Sequence, residues 1–357
     1  MHLSIDTVLP ADSVEFCPHP NASNVLVCGT YKLEDRQNFQ ENEKPVSSIR
    51  RGQCLVYEVH SEQDIKVSKT QEISLPAILD LKWCHTASNC QPLLAVADAE
   101  GSVSLFQWDF EQKQLRSASS LRVAPSHVLC LSLDWSNRKV PTSVAGSLVV
   151  SLSDGKLALL KPDQTGQLLI TSVWPAHTHE PWCVAWNYWD DNLIYSGGDD
   201  LQLKAWDIRQ GFERPTFDAG VTCIQSHPYI EHLLAVGSYD STVRLFDVRK
   251  PLTPLTQAEV GGGAWRVKWH PSPSRVYDLL VAAMHDGFKI VSFHMEHELM
   301  APSNKAGESW EIQKRYDEHK SLAYGVDWSY QLRQSQPGQT LIASASFYDH
   351  ALHLWQG

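Results

Sequence analysis

A pattern that repeats from one end of the chain to the other leaves it few folds to choose from. The segment YSGGDDLQLKAWDIR (195–209) superposes without a gap on AVGSYDSTVRLFDVR (235–249). AVADAEGSVSLFQW (95–108), VVSLSDGKLALL (149–160), VAAMHDGFKIVSF (281–293) and SASFYDHALHLW (344–355) follow the same course. Each copy is a strand of small residues, a turn, and a second strand with period-two alternation. Ahead of each unit lies a further strand closing on an anchor: Phe16, Trp83, Trp135, Trp186, Ser226, Trp269 and Trp328, spaced by 67, 52, 51, 40, 43 and 59 residues. No stretch carries a sustained helical period. A unit this small cannot bury its own faces, so seven of them must stack on one another.

Units of about 40 to 45 residues with four strands and a terminal Trp-Asp, as at Trp206-Asp207, are the signature of WD-repeat propellers, which this chain resembles over nearly its full length. The resemblance implies an all-β, seven-bladed WD-repeat β-propeller occupying residues 1–357 as one domain. The sequence stops just after the third strand of unit seven, which would leave an open edge. Leu3 to Leu9 is predicted to supply the missing strand, so that residues 1–10 complete blade seven and residues 11–60 form blade one. Blade one carries a polar insertion, Glu34 to Arg51, between its second and third strands.

Composition removes several classes of function. Thirty Lys and Arg against 41 Asp and Glu give a net charge of −11, a field that repels phosphate backbones and anionic lipid. Direct nucleic-acid or membrane binding is therefore not expected. The eight cysteines are scattered with no CxxC pair, and apolar runs such as Leu279 to Met284 are far too short to span a bilayer, which suits a soluble, cytoplasmic chain. His177 with His179, His294 with His297, and His350 with His353 lack a third ligand in sequence, so neither a metal nor another cofactor is expected. A GxSxG elbow, a Walker A loop and a dinucleotide fingerprint are also absent from the sequence.

The Trp-Asp ends read as structural, their rings packed between blades. His177 and His319 precede blades four and seven at the offset from which a histidine reaches the turn aspartate, here Asp200 and Asp349. More informative is the position four residues before each anchor, where the first strand begins near the channel mouth: Asp12, Leu79, Leu131, Trp182, Thr222, Trp265 and Tyr324. Three of these are aromatic. The residue before each turn aspartate points to the same face, adding Asp199, Tyr239, His285 and Tyr348. Such a rim suits a quaternary ammonium guest, which the faces of indole and phenol rings attract by on the order of 2 kcal/mol once it is desolvated.

The strings EPWCVAW (180–186), GGGAWRVKWHP (261–271) and EHKSLAYGVDW (318–328) resemble those of the diphthine methylesterase family, WD-repeat proteins of the diphthamide pathway. That resemblance implies hydrolysis of a methyl ester on a modified histidine of translation elongation factor 2, on a substrate that also carries a trimethylammonium group. Trp182, Trp265 and Tyr324 would cage the cation, with Asp199, Tyr239 and Tyr348 completing the substrate rim. His285 is the candidate base, oriented by Asp286. Arg266 or the backbone of Gly261 to Gly263 would stabilise the oxyanion, and Cys28 and Cys183 are lesser candidates as nucleophiles. A different class of function is also open. Trp206-Asp207-Ile208-Arg209 and Phe246-Asp247-Val248-Arg249 match the WDxR element by which substrate receptors dock a ubiquitin ligase adaptor.

Overall fold

Every residue of the strands Ala11–Phe16, Cys130–Trp135 and Cys183–Trp186 is buried. A strand covered on both faces needs a neighbour on each side, and a ring of sheets provides one everywhere. The computed structural model describes residues 2–34, 49–60, 64–211, 219–295, 309–331 and 338–357. Among these residues seven antiparallel sheets form seven blades, each beginning with the strand that carries an anchor. Blade four, for example, runs Cys183–Trp186, Leu193–Gly197, Leu203–Asp207, Gln210–Gly211.

Adjacent blades are fastened through their first strands. The indole N–H of Trp135 donates to the Lys82 carbonyl at 2.9 Å, that of Trp186 to the Asp134 carbonyl at 3.1 Å, and that of Trp328 to the Lys268 carbonyl at 2.8 Å. The residue before an anchor also receives a backbone N–H from the next blade. Asp134 accepts from Trp186 at 2.9 Å, Asp327 from Phe16 at 2.8 Å, and Gln225 from Trp269 at 2.6 Å.

The ring closes as expected, with a shorter strand than expected. His2–Asp6, not Leu3–Leu9, pairs outside Ala351–Gln356, from His2 opposite Trp355 to Asp6 opposite Ala351. The strand stops at Asp6 because the Thr7 N–H and hydroxyl both turn onto the His350 carbonyl and Val8 adopts a φ of 66°. In blade one, Lys32–Leu33 extends the hairpin against Arg50 and Arg51, which belong to the third strand and not to the insertion. Residues 35–48 of that insertion lie outside the described residues. Among the described residues no helix is long and apolar enough to cross a membrane.

Leu3 and Ile5 pack on the core between blades seven and one. Deleting residues 2–6 is expected to cost at least about 2 kcal/mol from these two side chains alone. It would also leave the Ala351–Gln356 edge unpaired. Chemical denaturation should report the loss, and size-exclusion chromatography should show new oligomers; an unchanged, monomeric variant would contradict the closure.

Candidate functional site

Five of the seven mouth positions share a structural cause that the sequence did not reveal. In blades one, two, three, five and seven the register of the first strand slips by one residue at Ala11/Ser13, Ile78/Asp80, Cys130/Ser132, Val221/Cys223 and Ala323/Gly325. The extra residues are Asp12, Leu79, Leu131, Thr222 and Tyr324. A bulge frees a residue from the ladder and re-aims its side chain, and bulges gather beside functional sites for that reason. In blades four and six, Trp182 and Trp265 stand immediately before the strands Cys183–Trp186 and Arg266–Trp269.

Three of these positions meet in space. Trp182 and Trp265 lie 5.7 Å apart between ring centroids, and Trp265 and Tyr324 lie 4.9 Å apart in an edge-to-face arrangement. Tyr239 joins at 5.9 Å from Trp265. The arc continues through a residue that the sequence did not single out: Phe347 is 5.1 Å from Tyr324 and 5.0 Å from Tyr348. The rings of Trp182, Tyr239, Trp265, Tyr324 and Phe347 are partly exposed and Tyr348 is exposed, so the arc lines a mouth and not a core. Among the described residues the indole N–H groups of Trp182 and Trp265 have no acceptor, as is also the case for Trp83, Trp174 and Trp269.

Glycines let these rings approach the backbone. A Cβ on Gly263 would stand 3.2 Å from the Tyr239 ring, and one on Gly220 would press on both Tyr239 and Asp199. Asp199 is thereby placed beside Tyr239, whose hydroxyl proton is held more tightly than usual by burial and by that carboxylate. The backbone N–H groups of Gly261, Gly262 and Gly263 make no hydrogen bond among the described residues.

The floor under the mouth is ionic. Arg266 donates to the Leu79 carbonyl at 3.2 Å and lies 3.4 Å from Asp80, which Lys82 also holds at 2.7 Å. Burial alone would raise the Asp80 carboxyl, but Arg266 and Lys82 outweigh it and hold it at about 2. Beneath, Lys268 bonds to Glu15 and lies 3.6 Å from Asp327, Lys82 lies 3.7 Å from Glu15, and Arg138 bonds to Asp134 at 2.8 Å. These charges come from five blades, and Lys82, Asp134, Arg138, Arg266 and Lys268 line a cavity of about 40 Å³.

His285 lies outside the ring contacts of the aromatic arc. It is exposed, makes no hydrogen bond among the described residues, and lines an open depression of about 640 Å³ with Asp286, Arg315, His319, Lys320 and Tyr348. Asp286 does not orient it. Arg315 grips that carboxylate at 2.8 Å and Lys289 at 2.8 Å, and with Arg315 as the stronger partner they hold it at about 2. Tyr348 belongs to both the depression and the aromatic arc.

Other sequence-based roles are corrected. Cys28 and Cys183 are buried, and burial pushes both thiols far above their usual range, which disqualifies them as nucleophiles. His177 does bond to Asp200, at 2.8 Å, and its other nitrogen to Ser196 at 2.7 Å. His319 instead reaches Asp349 through Ser346, at 2.5 Å on each side. Arg209 and Arg249 each form a two-pronged contact with the aspartate two residues earlier, Asp207 and Asp247. Among the described residues no three His, Cys, Asp or Glu side chains converge as metal ligands.

Fold and mouth together define a class: a seven-bladed WD-repeat propeller whose channel mouth is an aromatic cup above an ion-paired floor. The WD domain, G-beta repeat model matches residues 166–207 and 212–247. Over 93% of its length the chain is 39% identical to the diphthine methyltransferase of Homo sapiens, covering 75% of that protein, and it is 36% identical to that of Mus musculus, covering 71%. A diphthine methyltransferase homolog of Dictyostelium discoideum is 34% identical, with 97% of this chain and 96% of the homolog aligned. The chain belongs to the diphthine methyltransferase family of WD-repeat proteins. A chain in the crystal structure of the mitotic checkpoint complex superposes on 99% of it with a TM-score of 0.68 at 16% identity, a likeness of fold alone.

Proposed function

We propose that this protein hydrolyses the methyl ester of methylated diphthine on translation elongation factor 2, releasing methanol and leaving the carboxylate that amidation in diphthamide biosynthesis requires. The observation that carries this is the contiguous arc of Trp182, Trp265 and Tyr324, with Tyr239 beside it. Aromatic faces converging on one space select a quaternary ammonium, the group that distinguishes this substrate from an ordinary ester. The relatives are named for methyl transfer. Hydrolysis is favoured because the cup provides what water attack on an acyl carbon needs: polarising donors at Arg266 and the glycine turn 261–263, and carboxylates at the channel. The net charge of −11 steers a cationic guest toward the mouth.

In this proposal His285 is a rim contact for the protein that carries the modified histidine, since an exposed imidazole without a partner is poorly placed to hold a proton over the channel floor. The test is direct. Purified protein incubated with methyl-esterified elongation factor 2 should release one methanol per site while the substrate loses the mass of one CH₂. Absence of turnover, with copurification of a ubiquitin ligase adaptor, would support a receptor role in its place.

A further inference from the structure

One of the seven bulged or strand-leading positions at the mouth carries a carboxylate. Asp12 is the extra residue of blade one, between Ala11 opposite Thr30 and Ser13 opposite Gly29. Its neighbour around the ring is Tyr324 of blade seven. The two strands touch there, since a Cβ on Gly325 would stand 2.8 Å from the Asp12 carbonyl oxygen. Tyr324 in turn leans on Trp265, which places Asp12 one ring position beyond the edge of the aromatic arc.

Asp12 differs from every other acid in the channel. Glu15, Asp80, Asp134 and Asp327 each hold a cation or a backbone N–H. The carboxylate of Asp12 accepts no hydrogen bond and forms no ion pair among the described residues, although the residue is only 7% exposed. Its oxygens are not among the polar atoms that are sealed from solvent without a partner. A buried carboxylate left out of the surrounding network costs stability and has no packing advantage over the Leu and Thr at equivalent positions.

We infer that Asp12 is the general base of the reaction: its carboxylate takes a proton from the attacking water while the ammonium group rests against Trp182, Trp265 and Tyr324. This role rests on the esterase function proposed above. The water oxygen bonds to the acyl carbon, and the electron pair of the C=O bond moves onto the oxygen, which Arg266 or the glycine turn stabilises. Collapse of that adduct re-forms the C=O bond and breaks the bond to methoxide. The methoxide takes the proton back from Asp12 and leaves as methanol, so no nucleophile on the protein and no cofactor is consumed. The groups facing Asp12 are Arg266 from blade six, Asp80 from blade two, Tyr324 from blade seven and Cys28 from its own blade. Burial pushes its carboxyl up to about 7 against the pull of Arg266, with Asp80 adding to the rise. A base poised near neutrality accepts a proton from water better than an ordinary carboxylate does, and about half of it is ionised at pH 7.

Asp12→Asn, assayed in the full chain with methyl-esterified elongation factor 2, is expected to lower kcat by about 10²- to 10⁴-fold with KM little changed. Wild-type kcat/KM should rise with pH and level off above about 7, the rise being absent from Asp12→Asn and partly restored in Asp12→Glu. Unfolding can be told apart from loss of the base. Because the folded pKa is raised, ionising Asp12 weakens the fold as pH climbs from about 4 through about 7. The neutral Asn variant should therefore unfold no earlier than wild type at pH 8. Wild-type turnover and an unchanged pH profile in Asp12→Asn would overturn the assignment while leaving the esterase function standing. If wild type itself releases no methanol, the function fails and the role of Asp12 falls with it.

Discussion

Trp265→Ala should bind a trimethylated diphthine peptide about thirtyfold more weakly than wild type. Trp265 is the hub of the arc, touching Trp182, Tyr239 and Tyr324. Losing it removes one ring from the cation and unpacks the other three. A desolvated cation–π contact of about 2 kcal/mol corresponds to that factor, since each 1.4 kcal/mol is about tenfold in affinity. Titration calorimetry with the product peptide would measure it. A second peptide with a neutral tert-butyl group in place of the ammonium supplies the control, because its weaker binding should be nearly indifferent to the substitution beyond lost apolar contact. Equal loss for both peptides would mean that Trp265 contributes shape and not charge recognition.

The ionic floor yields the second large effect. Lys268→Met is expected to destabilise the fold by about 3 to 5 kcal/mol, because it strands Glu15 and Asp327 in a buried channel without their common partner. Burial alone would raise the Glu15 carboxyl, but Lys268 and Lys82 overcome it and hold the group below its usual range. Stability from this pairing is therefore present above the ordinary carboxylate range and lost as the solution is acidified beneath it. The triple variant Glu15→Gln, Lys268→Met, Asp327→Asn should recover much of the loss, since paired buried charges are often replaceable together and costly to break singly. Urea unfolding at neutral pH, with the m-value checked for constancy, gives both numbers. If the single variant is as stable as wild type, the channel charges are solvated and the floor is not a dry network.

How far the sequence disclosed this molecule depends on the distance over which each feature is encoded. The blades were legible because strand, turn and anchor recur within one unit, and the ring followed from their number. Closure by the N-terminal segment was legible because an unpaired edge has few remedies. The aromatic arc was reachable by counting back from Trp186, Trp269 and Trp328, which places Trp182, Trp265 and Tyr324 on equivalent spots in different blades. Asp12 stood in the same row, but a carboxylate without partners looks like any other carboxylate until its surroundings are seen. The failures share one cause. Asp286 was assigned to its sequence neighbour His285, yet Arg315 on the outer strand of the blade claims it from 29 residues away. Lys268 and Glu15 are 253 residues apart and meet only because the ring brings blade six near blade one across the channel. Phe347 was hidden beside Tyr348, since two adjacent strand-end residues cannot be ranked without knowing which one turns inward.

The pairing of His2–Asp6 with Ala351–Gln356 also orders events during synthesis. Of the strands of the ring, His2–Asp6 is made before the others and its partner after them, so six blades must wait beside an unsealed seam. A premature stop just before Ala351 would discard the partner of His2–Asp6, and the resulting polypeptide should be held by chaperones and degraded even though every residue of the aromatic cup has been translated.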